Sequence, residues 1–139
     1  QLLRTLKLSS VPELKLDIEE IRSVESSAQL VGQMIAEGLE KRMTFRRVMK
    51  QTVEKVMANR DVEGVRVICA GRLGGADMAR REEIKRGQVP LQTLRADIDF
   101  ARVKAILPYG TIGIKVWVYR GQVFADRKAS QAESTRRDA

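Results

Sequence analysis

The sequence predicts an α+β domain, two helices packed on a sheet of about four mostly antiparallel strands. Three observations carry that expectation. Apolar residues recur at helical spacing in two consecutive stretches between residues 26 and 59. From residue 64 to residue 124 the pattern changes to strand alternation, broken by turns that contain glycine or proline. The chain has 139 residues and is 43% apolar, which suits one core with at most a small appendage.

The elements follow in order. Leu2, Leu3 and Leu6 could end a helix, and Leu14, Leu16 and Ile18 alternate with charged residues as a strand does. These two pieces cannot bury a core, so residues 1–25 read as an attachment or as the end of a preceding domain. Ser26-x-x-Gln29 has the form of a capping box. Leu30, Val31, Met34, Ile35 and Leu39 then continue at helical spacing, with Gly38 placed for close packing. After a break at Lys41 to Thr44, with Thr44 as N-cap, a second helix carries the stripe Phe45, Val48, Met49, Thr52, Val53, Val56 and Met57. It should fray near Asn59.

In Gly64 to Ala70, Val65, Val67 and Cys69 share one strand face, and Arg72 to Gly75 marks a turn. The charged stretch Arg80 to Gly87 fits a strand or a helix; an exposed strand is the adopted reading. Val89-Pro90-Leu91 is a connector. Ile98 and Phe100 alternate with Asp97 and Asp99, and loss of that parity after Ala101 suggests a bulge or bend there. Pro108-Tyr109-Gly110 reads as a turn. Ile112, Ile114, Val116 and Val118 then face one way, while Lys115, Trp117 and Tyr119 face the other. Residues 125–139 are polar and read as a disordered tail.

Charge points to a partner. Seven cations and one anion, Glu54, lie between Lys41 and Arg60, a local +6 in a chain of net +8. At about 100° per residue, Arg46, Arg47 and Lys50 fall within an arc of roughly 100° beside the apolar stripe. Nothing in packing requires such a flank, so a polyanion is the expected partner. With 4% aromatic residues, contact to phosphate fits better than base stacking. The chain has no histidine, which removes Ser-His-Asp and Cys-His nucleophiles and His-containing zinc sites. The single cysteine, Cys69, alternates with valines as an apolar filler does. Asp97 and Asp99 could hold Mg²⁺, but a two-metal nuclease needs more carboxylates, and pairing with Arg95 or another cation is the simpler account. No enzyme activity, cofactor or membrane partner is expected.

Several blocks carry a family resemblance. They are Leu39-Glu40-Lys41-Arg42 with Phe45-Arg46-Arg47; Gly71-Arg72-Leu73-Gly74-Gly75-Ala76; Val89 to Asp99; and Tyr109-Gly110 through Gly113-Ile114-Lys115-Val116-Trp117. In this order and spacing, across about two-thirds of the chain, they resemble the C-terminal domain of the bacterial-type ribosomal protein number three of the small subunit. The resemblance implies a type II KH domain ahead of this one, so residues 1–25 would be its end, residues 26–124 the ribosomal domain, and the G-x-x-G clamp of the KH domain is absent.

The resemblance further implies a structural protein of the small-subunit head. It would bind ribosomal RNA, neighbour other small-subunit proteins, and help to line the channel by which messenger RNA enters. The family residues that grip incoming RNA match Arg46, Arg47 and Lys50. Lys41, Arg42 and Arg72 complete the expected RNA-binding set, with the Gly74-Gly75 turn offering backbone N–H groups beside Arg72. Arg72 has an equal alternative as part of a turn chosen for its conformation. A cytoplasmic ribosome is the expected location, an organellar one the alternative. The competing function is a non-ribosomal protein-interaction or RNA-binding module.

Overall fold

The computed structural model describes residues 20, 21 and 23–124. The expectations of a preceding-domain remnant and of a polar tail fall wholly or mainly outside the described residues. Within them the order is α1 (Ala28–Glu40), α2 (Phe45–Ala58), β1 (Gly64–Gly71), β2 (Arg80–Gly87), β3 (Ala96–Leu107) and β4 (Gly110–Gln122). The strands form one antiparallel sheet in the order β2-β1-β4-β3, and both helices cover one face of it. This is the expected two-layer α+β architecture.

The helices form where apolar spacing and the absence of proline allow. α1 buries Ala28, Val31, Ile35, Ala36 and Leu39. α2 buries the expected stripe from Phe45 to Val56, with Met57 packed at its edge. Across from them stand Val65, Val67 and Cys69 of β1 and Ile112, Ile114, Val116 and Val118 of β4, all at most 1% exposed. Burial of each such large side chain stabilises the fold by roughly 1.5–3 kcal/mol. Gly38 lets the helices approach: a Cβ there would stand 2.8 Å from Val48 Cγ1. Gly32 does the same for α1 against the sheet, since its Cβ would stand 2.6 Å from Val103 Cγ2.

Two expectations are corrected. Ser26 does not cap α1. It ends a short 3₁₀ turn, Val24–Ser26, and its hydroxyl donates back to the Ser23 carbonyl at 2.9 Å. Ser27 holds the N-cap position without a side-chain cap bond, and Asp99 Oδ2 accepts the Ala28 N–H at 2.8 Å. A carboxylate from a strand 71 positions away thus performs the capping function, and sits where the helix dipole favours a negative charge.

Strand parity in β3 also does not break after Ala101. Ala101, Val103, Ala105 and Leu107 alternate inward without interruption, while Phe100 lies on the outer face. The register shift lies earlier. Ala96 faces Gln122 and Ile98 faces Tyr119, so β4 uses three residues where β3 uses two. Ile98, opposite Tyr119, and Phe100, opposite Trp117, share the outer face ahead of that inward run.

Candidate nucleic-acid interface

α2 separates its two faces as the sequence requires. Phe45, Val48, Met49, Thr52, Val53 and Val56 are buried, while Arg46, Arg47 and Lys50 are exposed on its flank. The helix holds the three cations on one rigid surface. They differ in how free they are. Arg46 donates from Nε and Nη2 to the two carboxylate oxygens of Glu82 on β2, at 3.2 and 3.0 Å. That hydrogen-bonded pair raises the Arg46 pKa above its ordinary value and lowers that of Glu82. Arg47 and Lys50 have no carboxylate partner among the described residues.

Lys41 and Arg42 sit just ahead of α2, where α1 ends. The Met43 N–H donates to the Gly38 carbonyl at 3.1 Å and the Arg42 N–H to that of Leu39 at 3.0 Å. This is the Schellman arrangement, which calls for a left-handed residue after the C-cap. Glycine usually fills that position; here Arg42 does, at φ 60°. A non-glycine residue in that region is strained by about 1–2 kcal/mol. Lys41 makes only an exposed contact to Glu37, at 3.7 Å, of the kind that contributes little.

Arg72 is built into its loop. Nε donates to the Ala76 carbonyl at 2.9 Å, Nη1 to the Tyr109 carbonyl at 2.9 Å, and Nη2 to Asp77 at 3.0 Å. The guanidinium thereby ties the Leu73–Gly75 turn to the β3–β4 turn, with two N–H donors left over. A groove of about 550 Å³, lined by Arg42, Phe45, Gly74 and Tyr109, runs between this loop and the start of α2. Five of the six expected residues therefore lie on α2 and the loop before it, and Arg72 lies across that groove.

In sequence, Arg80, Arg81, Lys85 and Arg86, interleaved with Glu82 and Glu83, read as a mixed surface for RNA or a neighbouring protein, and the structure brings two of them to α2. Arg80 stands 3.6 Å from Glu82 and its guanidinium lies 5.4 Å from the centre of the Phe45 ring, beside that of Arg46 at 5.6 Å. Arg86 reaches Glu54 at 3.9 Å. Arg80, Glu82, Ile84 and Arg86 share the helix-side face of edge strand β2, so this strand extends the basic flank of α2. Strand parity puts Arg80 and Arg86 on one face, but only the tertiary contact sets that face against α2.

The remaining candidates have structural roles. Asp97 pairs with Arg120 at 3.5 Å and Asp99 caps α1. No metal-binding cluster occurs among the described residues. Cys69 is fully buried, and loss of hydration pushes its thiol up to about 12.

Residues 35–118 match the family model described as ribosomal protein S3, C-terminal domain. The chain is 50% identical over 119 residues to small ribosomal subunit protein uS3 of Clostridium botulinum (strain Alaska E43 / Type E3), covering 86% of this chain and 53% of the relative. It is 52% identical over 115 residues to uS3 of Chlorobium limicola (strain DSM 245 / NBRC 103803 / 6330), covering 83% and 45%. With uS3 of Ruegeria sp. (strain TM1040) the identity is 50% over 127 residues, covering 87% and 53%. The chain thus spans about half the length of these relatives.

Proposed function

The chain belongs to the family of the ribosomal protein S3 C-terminal domain, and from that premise we propose that it serves as a structural, RNA-binding part of the small ribosomal subunit. In this reading its partners are ribosomal RNA, neighbouring small-subunit proteins and messenger RNA. The basic flank of α2 helps to line the channel by which messenger RNA enters, and grips it during translation.

One observation carries the reading. Arg46, Arg47 and Lys50 stand exposed on a helix whose opposite stripe is buried, so they are fixed in space yet not needed for packing. Guanidinium groups bind phosphate in bidentate fashion, and lysine adds a mobile point charge. Such contacts hold the backbone without reading sequence, as a channel for every message requires. The Glu82 pair gives Arg46 a defined resting position, from which phosphate can compete it away.

The test is the triple variant Arg46→Ala, Arg47→Ala, Lys50→Ala in the whole protein. Alanine favours helix and the buried stripe is untouched, so thermal stability should change little. The variant should still enter small subunits, through its other surfaces. Ribosomes that carry it should slow mainly on messages with a stable hairpin ahead of the channel, against an unstructured control. Equal defects on both messages, or failure to assemble, would return the three cations to an ordinary ribosomal-RNA anchor.

A further inference from the structure

The sheet has a second face, opposite the helices, and its side chains are laid out by register. One row across the strands is Lys85, Arg66, Trp117 and Phe100; the next is Glu83, Ile68, Lys115 and Arg102; the third is Arg81, Ala70, Gly113 and Lys104. These rows hold six cations and one anion. Small residues in the middle of the third row leave a groove of about 420 Å³, walled by Arg81, Arg102, Lys115 and Trp117.

The one carboxylate is already engaged. Glu83 accepts from Arg66 Nε at 2.7 Å and Nη2 at 3.0 Å, and also holds Arg81 at 3.3 Å. That clamp seats the Arg66 guanidinium 5.2 Å from the centre of the Trp117 ring. Trp117 in turn packs on Phe100, with ring centres 5.0 Å apart. Phe100 is still 50% exposed. Arg102 and Lys115 are directly opposed across β3 and β4, and neither has a carboxylate partner among the described residues. Like charges placed so are destabilising, and a bound anion relieves the cost.

From this arrangement we infer that the open sheet face is a second RNA-binding surface, which takes a single-stranded segment. A base stacks on the exposed side of Phe100, while Arg102, Lys115 and Lys104 neutralise its flanking phosphates. The charge complementarity suits any polyanion. The exposed aromatic ring set among free cations is the combination that single-stranded nucleic acid uses, because every base offers a π-face. An acidic protein surface has no need of that ring. The inference shares with the proposed function only the premise of an RNA partner, and uses none of the α2 residues. With the α2 flank on the other layer, the domain would hold two RNA segments at once.

Trp117 is the chain's only tryptophan, so its fluorescence reports on this face directly. An unstructured oligouridine, titrated into the full chain at low salt, should quench it. Arg102→Gln with Lys115→Gln should make the salt slope of log K shallower by about 1.4, at about 0.7 per phosphate contact. Phe100→Ala should weaken the quenching interaction about 5- to 150-fold, as expected for loss of one stacked base. The α2 triple variant should leave the quenching intact, which separates this surface from the proposed one. Circular dichroism checks that each variant is folded; should Phe100→Ala misfold, the two-glutamine variant still decides. Absence of quenching, its loss in the α2 variant alone, or equal quenching by polyglutamate would overturn the inference, the last in favour of an acidic protein partner.

Discussion

Gly38→Ala tests what sets the spacing of α1 and α2, and hence the placement of the basic flank. Helix propensity alone says the change should stabilise the chain by about 1 kcal/mol. The structure says the reverse. The new Cβ would stand 2.8 Å from Val48 Cγ1 and 3.1 Å from Cγ2. Carbon atoms in good contact lie about 3.5–4.0 Å apart, so the helices must part locally by up to ~1 Å. Val48 is 5% exposed and β-branched, and its methyl groups cannot swing away. Overpacking of this kind costs about 1–3 kcal/mol, which leaves a net loss of up to about 2 kcal/mol.

Val48→Ala removes both methyl groups that the new Cβ meets. It is destabilising by itself, through the cavity it opens. In that background Gly38→Ala should become stabilising, because only the propensity gain remains. Urea unfolding of the four proteins gives the coupling directly, and a value of about 1–3 kcal/mol is expected. In thermal scans each kcal/mol should move the midpoint by about 4–8 °C for a domain of this size. If Gly38→Ala stabilises the otherwise unaltered chain, or destabilises both backgrounds equally, contact with Val48 is not the reason for glycine at that position.

Two further outcomes are expected. Arg42→Gly relieves a left-handed residue of about 1–2 kcal/mol of strain, partly offset by the greater chain entropy of glycine, so the thermal midpoint should rise. If Arg42 contacts phosphate, the same change should make the salt slope of RNA binding shallower by about 0.7; a lowered midpoint, or an unaltered slope, would contradict one part or the other. Cys69 should resist thiol reagents at about pH 8 in the folded chain and react only as it unfolds. Its thiol ionises near 12 when folded against 9.0 for an unburied thiol, so above pH 9.0 the unfolded state binds fewer protons. The stability this group contributes is therefore full below that pH and falls as pH rises. Cys69→Val should show a flatter alkaline decline, and an equally steep one would refute the assignment.

Sequence by itself determined what depends on neighbours along the chain. The helix stripes, the alternation of β1 and β4, the turn at Pro108 and Tyr109, and the exposed cations of α2 all follow from local periodicity, and the structure bears them out. Tertiary structure alone decided what depends on residues far apart. Asp99 became the cap of α1 because β3 passes beside that helix end, and no capping-box pattern near Ser26 could show it. Phe100 turned outward because parity in β3 is set by its register with β4, which shifts between Ala96 and Ile98. Arg46 found Glu82, and Arg80 joined the α2 flank, only because edge strand β2 lies against that helix. The basic rows of the outer face likewise combine residues from four strands, whose order β2-β1-β4-β3 is not their order in sequence. Periodicity says which face of an element is apolar; which elements then meet is settled by the packing of the whole core.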